Sequence, residues 1–393
     1  MAMTNNSSRN EYLREAQVLY WRAVKKKDRK RLSSLLDDVT EITGLNRKYL
    51  ITKLRKRLKS YPTGTDRSDP RGRKRIYGSA DFKEALLICW RASNEICAEN
   101  LQPFLPELVT KLESCSELTV DTETRKLLLS VSISTIARTL SKIKKRSYVP
   151  LGTTKPGNLL KSQIPVRKGL WNETEPGWLE SDTVAHCGSD MSGSFIHSYN
   201  FVDIATSWSE QTAAMGMGER ATVGSFDKVR KRIPFKVLGI DSDNGYEYIN
   251  HHLWRYTRKH GIKFTRSRPG KKNDNAHVEQ KNYTAIRKTV GYARLDTEVQ
   301  LEIMNRLYDG PLRLYLNFFH PTRKRKSKEY DPTTGKSRKF YFESKTPFQR
   351  VIEHPNIHPE TKAMLQSQYN NLNPVKLLAE IRSLLAELEG TLG

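Results

Sequence analysis

Three carboxylates stand where a carboxylate is hard to justify on structural grounds alone: Asp182, Asp243 and Glu279. Asp182 interrupts a stretch, 178–185, that otherwise reads as a buried strand. Asp243 follows the strand-like run 235–240 and abuts the turn dipeptide Asn244-Gly245. In open α/β sheets the carboxyl ends of strands open onto the ligand crevice, so an acid there is well placed for a site. Glu279 shares one helical stripe with Ala276, Tyr283, Ile286 and Val290. It therefore sits on the apolar, inward face and needs a cation or a metal as partner. Three converging carboxylates repel one another unless a divalent cation neutralises them. Hard oxygen ligands with no Cys or His suit Mg2+ or Mn2+. Two such ions about 3.5–4 Å apart form a clamp suited to phosphodiester chemistry. Asp241 has the same strand parity as Asp243 and is its rival; Asp243 is preferred because it abuts the turn.

Nearby polar residues read more plainly. Asp203 fits a turn and Asp274 a helix cap. His186 fits a hydrogen-bonded structural histidine, and His277 a surface or DNA contact facing away from Glu279. Arg266, Arg268, Lys271 and Lys272 precede the Glu279 helix in a Pro-Gly loop. Beside a phosphodiester site such a loop is expected to hold DNA. Positioning these groups requires strands at 178–185, 195–204, 208–214, 235–240 and 263–266, with helices at 219–233, 246–260 and 274–290. Three strands followed by alternating helices and strands indicate a mixed-sheet α/β domain.

The remainder of the chain is strongly basic. Its 393 residues carry a formal net charge of +25, which points to a polyanionic partner, with nucleic acid foremost. Hydrophobic residues make up 37%, and no stretch approaches the ~20 apolar residues of a spanning helix, so no membrane role is expected. The four cysteines form no Cys-x-x-Cys pair, and all nine histidines lie at or after His186. The front half therefore cannot build a Cys/His zinc module. Residues 1–76 hold 21 basic and 8 acidic side chains and read as helices, with Gly44 as a tight turn. The helix after Gly44 would present Asn46, Arg47, Lys48, Lys53, Arg55 and Lys56 to DNA, a helix-turn-helix pattern. Residues 60–75 read as a linker. Residues 77–147 form a second helical block in which Ser132 or Ser134 caps a further helix running into Lys142, Lys144, Lys145 and Arg146. This block fits either another helix-turn-helix or a structural bundle. The stretch 148–172 is a basic, Pro-containing linker. Residues 321–345, with Arg323, Lys324, Arg325, Lys326 and Lys328, read as a mobile basic segment or target-DNA contact. The last helix opens at Asn373-Pro374 and repeats Leu377, Ile381, Leu384 and Leu388, a stripe for multimerisation or for packing on its own chain.

The stretches Leu179-Glu180-Ser181-Asp182, Asp241-Ser242-Asp243-Asn244-Gly245 and Asn275-Ala276-His277-Val278-Glu279, in this order, resemble the integrase catalytic core of bacterial insertion-sequence transposases. This is the DDE group, with an RNase H-like fold, that includes retroviral integrases. Thirty-five residues separate Asp243 from Glu279, the spacing of the integrase branch. The resemblance spans about residues 173–320, and a helix-turn-helix front end is usual in the group. The resemblance implies Asp182 and Asp243 as ligands shared by two Mg2+ or Mn2+ ions, and Glu279 as ligand to one. It further implies hydrolysis at element ends, followed by transesterification into double-stranded target DNA by a dimer or tetramer. Such a protein is expected to be cytoplasmic and nucleoid-associated. The zinc-binding His/Cys domain of retroviral integrases is absent. The domain order expected is 1–76 and 77–147 helical, 148–172 linker, 173–320 catalytic core, and 321–393 basic segment with terminal helix. Competing classes are an RNase H-fold nuclease or resolvase, and a DNA-binding regulator descended from a transposase.

Overall fold

The computed structural model describes residues 6–56, 76–141, 174–242, 251–266, 278, 281–331 and 336–392. The chain divides into two compact units, Met1–Lys74 and Arg75–Gly393.

The first unit is built from α1 (Asn6–Lys25), α2 (Arg29–Thr43) and α3 (Arg47–Arg55). Leu13, Ala16, Tyr20, Leu36, Val39, Leu50 and Leu54 form its core. Between α2 and α3 the chain reverses through Gly44, whose φ of 67° is a left-handed conformation that glycine adopts without a Cβ penalty. Asn46 then caps α3, its side chain accepting from the Lys48 N–H.

The second unit opens with α4 (Ala80–Ala92), α5 (Ala98–Ser114), α6 (Thr122–Ser130) and α7 (Ile133–Ser141). Ser132 caps α7 by accepting from the Thr135 N–H at 3.4 Å. These helices do not carry a core of their own. Phe82, Leu86, Trp90, Leu101, Leu108 and Leu112 pack in one cluster with Tyr315, Phe318, Tyr369 and Ile381 from the far end of the chain. Polar ties join the same parts: Lys111 Nζ donates to the carbonyls of Tyr369 and Asn370 at 2.8 and 3.0 Å, and Tyr315 donates to the Ala92 carbonyl at 3.0 Å.

The described strands β1 (Trp178–Ala185), β2 (Ile196–Asp203), β3 (Ser209–Met215), β4 (Gly239–Ser242) and β5 (Lys263–Arg266) form a mixed sheet in the order β3-β2-β1-β4-β5. β1, β2 and β3 are antiparallel neighbours, and β4 and β5 run parallel to β1. The fourth strand lies later than the pattern 235–240 suggests. Pairing with β1 begins at Gly239, opposite Trp178, whose ring lies where a Cβ on residue 239 would stand, so only glycine fits there. The strand thus carries Asp241 and Ser242 and reaches the position just before Asp243.

One sheet face carries an apolar cluster. Leu179, Tyr199, Phe201, Ile240 and Phe264 pack on Phe226 and Val229 of α8 (Glu219–Arg230) and on Leu253 of α9 (His251–Lys259). The opposite face carries Glu180, Asp182, Asn200, Gln211 and Asp241, aligned across strands by the register Asp182↔Asn200↔Gln211 and Glu180↔Asp241. A π-helical stretch, Asn282–Arg287, runs into a last turn Lys288–Val290, together α10. Asn282 hydrogen-bonds Asp182 and Asn200 on that face. Then come α11 (Glu298–Leu307), a π-turn Tyr308–Leu312 and α12 (Arg313–Phe318). A two-stranded ribbon follows, β6 (Arg325–Asp331) with β7 (Lys336–Tyr341). Helices α13 (Pro347–Glu353), α14 (Pro359–Asn371) and α15 (Pro374–Glu389) complete the unit. Leu377, Ile381 and Leu388 of α15 are buried against their own chain, and Asn373 caps the helix as its Asn-Pro start signals. Among the described residues, no helix is long and apolar enough to cross a membrane.

Candidate active site

Asp182 lies midway along β1, half-buried on the polar sheet face. One carboxylate oxygen accepts from its neighbour's Thr183 N–H at 2.8 Å. The other accepts from Asn282 Nδ2 at 2.6 Å. Asn282 is held in turn: its Oδ1 accepts from Asn200 Nδ2 at 2.7 Å, and Asn200 Oδ1 accepts from Gln211 Nε2 at 3.0 Å. Asn200 and Gln211 are fully buried, so each amide needs these partners. The relay runs across three strands and fixes the rotamer of one carboxylate at its end.

Two residues earlier in β1, Glu180 is buried and its Oε2 accepts from the Val278 N–H at 3.1 Å. Val278 and Asn282 are thus each tied to β1. Asp241 occupies the neighbouring position on β4, buried, with its Oδ1 accepting from the Thr265 hydroxyl at 2.6 Å. Asp243 and Glu279 themselves lie outside the described residues, as do Lys144, Lys145, Arg268, Lys271 and Lys272. Among the described residues, no group of three or more His, Cys, Asp or Glu side chains is arranged to hold a metal ion. Asp182 offers hard oxygen donors, the type Mg2+ or Mn2+ takes.

Past the end of β1, His186 is buried, as expected for a structural histidine. Its Nε2 is 2.7 Å from the Ser198 hydroxyl, which is 2.7 Å from the Tyr308 hydroxyl. Burial, with Arg287 and His197 nearby, holds its imidazole neutral, down to about 3. Asp203 is a turn residue, accepting from Gly177 N–H, Thr206 N–H and the Thr206 hydroxyl. Arg266 is the last residue of β5 and is buried beside Ser242 in the register.

In the first unit, Asn46 and Arg47 serve local structure. Asn46 is the α3 cap, and Arg47 pairs with Asp37 and donates to the Ser33 hydroxyl at 2.8 Å. Lys48 is exposed, and Lys53 lies over the Tyr49 ring at 5.6 Å.

Glu180, Asn200, Gln211 and Asn282 were not singled out by sequence reasoning. Glu180 shares the strand parity of Asp182, and Asn282 stands three residues after Glu279 on its helix, a spacing that puts both on one side. Asn200 and Gln211 carry no local signal, because only strand pairing brings them to Asp182.

The fold is thus a mixed α/β sheet with one apolar face and one buried polar face that ends in a carboxylate. The chain belongs to the same family as the uncharacterized protein y4rM of Sinorhizobium fredii (strain NBRC 101917 / NGR234). The two are 35% identical over 318 residues, which is 80% of this chain and 87% of that one. No protein-family model matches the chain. Among solved structures it is similar to the HTLV-2 integrase catalytic core domain in complex with magnesium, at 14% identity and a TM-score of 0.27, over 37% of this chain and 90% of that one. The catalytic core of BIV integrase matches at 13% identity and a TM-score of 0.26, over 36% and 83%. A simian T-cell lymphotropic virus intasome in complex with the PP2A regulatory subunit B56 gamma matches at 14% and 0.32, over 63% and 76%.

Proposed function

We propose that the chain is a DNA transposase of the DDE integrase type, which binds element ends and catalyses 3′-end cleavage and strand transfer into target DNA. The observation that carries this reading is the 2.6 Å hydrogen bond from Asn282 to Asp182, together with the tie from Val278 to Glu180. Val278 belongs to the Asn-Ala-x-x-Glu motif and Asn282 follows it, and both bond the strand of the first acid, which supports the reading. Asp182, Asp243 and Glu279 would hold two Mg2+ or Mn2+ ions, which when bound activate the attacking oxygen and stabilise the leaving one. The chain's own contribution is positional. The Gln211–Asn200–Asn282 relay holds Asp182 in one orientation, and Glu180 fixes the backbone at Val278 beside it.

The front unit, with its excess of Lys and Arg, is read as the helix-turn-helix that recognises the ends, Lys48 and Lys53 facing DNA. Lys144 and Lys145, and the loop of Arg268, Lys271 and Lys272, are assigned to the same DNA. Two ends must be held together, which calls for a dimer or tetramer on the nucleoid. The test is an end-joining assay with Mg2+ on a duplex bearing the inverted repeats that flank the gene. Glu279→Gln is expected to abolish cleavage and joining while duplex binding persists. Joining by that variant would sink the site assignment, and wild-type cleavage without joining would favour a nuclease on the same fold.

A further inference from the structure

The ribbon β6–β7 is an exposed element. Among the described residues its strands pair only with each other, and an isolated two-stranded ribbon is marginal in water. Its root, by contrast, is firmly tied. Lys324 Nζ donates to the carbonyls of Ile204 and Ala205 at 2.7 and 2.8 Å, and Thr322 bridges to Lys345. Arg350 donates to the Thr322 hydroxyl at 3.2 Å. Lys324 is thereby a structural anchor and not a solvent-facing cation.

The two ribbon faces differ in charge. On one, the register sets Glu329 opposite Arg338, which also lies over Phe340 at 5.0 Å. On the other, Arg325 stands opposite Tyr341, with Lys339 two residues along, Tyr330 beyond, and Arg323 over the Tyr341 ring at 5.1 Å. Among the described side chains this second face holds no acid. Its tyrosines are open, Tyr330 65% and Tyr341 45% exposed. Exposed cations interleaved with aromatic rings, on a ribbon six or seven residues long, complement a polyanion with stackable or groove-lining surfaces. The major groove of duplex DNA, about 12 Å wide, admits a two-stranded ribbon.

We propose that the Arg325–Lys339–Tyr330–Tyr341 face of the ribbon is a duplex-DNA binding arm that enters the major groove. The proposal deepens the reading as a transposase and rests on it. The arm is rooted at the β2–β3 turn, the sheet end opposite the exits of β4 and β5, so it grips DNA away from the reacting phosphodiester.

The test measures anisotropy of a labelled 30-bp DNA duplex with the full chain in EDTA, across a salt series. Arg325→Ala/Lys339→Ala should weaken binding about tenfold or more at moderate salt and lower the slope of log K against log salt by about 2. Arg325→Lys/Lys339→Arg should bind as the wild type, and both variants should melt as the wild type does. Unchanged affinity and slope in the alanine variant would overturn the arm while leaving the transposase reading intact. A wild-type chain with no duplex affinity would overturn both. Tighter binding to an RNA duplex would also overturn the arm, because the A-form major groove is too narrow to admit it.

Discussion

The two faces of the central sheet are built from the same strands and solve opposite problems. On one, Leu179, Tyr199, Phe201, Ile240 and Phe264 meet Phe226, Val229 and Leu253, and the Tyr199 hydroxyl finds the Thr222 hydroxyl at 3.3 Å. On the other, Glu180, Asp182, Asn200, Gln211 and Asp241 lie in adjacent register positions, and their hydrogen bonds run to one another, to Thr183, to Thr265 and to Val278 and Asn282. A buried polar row is less favourable than apolar packing unless every member is satisfied. Its presence, facing away from the apolar cluster and ending at a half-buried carboxylate, is what places the proposed site on this face.

The largest expected effect separates the faces outright. Asp182→Asn should reduce Mg2+-dependent cleavage and joining to background while the melting temperature stays within a few degrees. A variant that kept wild-type activity would place the chemistry elsewhere. Phe226→Ala should do the reverse to stability. Phe226 packs on Phe201 and Tyr256 with centroids 5.6 and 5.7 Å away, and its truncation should cost about 3–5 kcal/mol in urea unfolding.

A subtler probe acts within the polar face. Asn282→Ala removes the donor to Asp182 and the acceptor for Asn200, so activity should fall on the order of 10–100-fold, as for an outer-shell partner of a metal ligand. The loss should show as a higher Mg2+ requirement; equal losses at all Mg2+ concentrations would argue that Asn282 only supports the fold.

The smallest effect is a pH dependence. His186 is held neutral in the folded chain, down to about 3, whereas the unfolded imidazole takes a proton near its usual value. Its contribution is present above about pH 6.5 and is lost as pH falls towards 3, at roughly 1.4 kcal/mol per pH unit. Urea midpoints at pH 7.5, 6 and 5 should therefore fall less steeply in His186→Asn than in the wild type. Parallel curves for the two would mean that His186 does not set this dependence.

Local chemistry was legible wherever neighbours in sequence settle the structure. The Gly44 reversal, the Asn373 cap, the strands around Asp182 and the histidine at 186 all follow from short-range pattern, whereas Asn46, expected to face DNA, caps α3 instead. The start of β4 was not legible, because it depends on where the Trp178 ring lies across from Gly239. The two helical blocks of the front half read alike, yet one has its own core while α4–α7 share theirs with residues far along the chain, such as Trp208, Tyr315 and Tyr369. Amphipathic stripes show that a face is buried and say nothing of what buries it.

From the sequence alone came the charge, the helical front half, the mixed strand and helix order, and Asp182 as an acid out of place in a strand. The tertiary structure decided what surrounds that acid. Asn200, Gln211 and Asn282 come from two strands and a helix separated by up to 82 residues, and only sheet register and helix docking bring their amides into line. It also decided which basic residues are structural, since Lys324 and Arg350 are consumed at the root of the ribbon, while Arg325 and Lys339 remain at the surface. Charge is a property of composition, but whether a charge meets solvent depends on the packing around it.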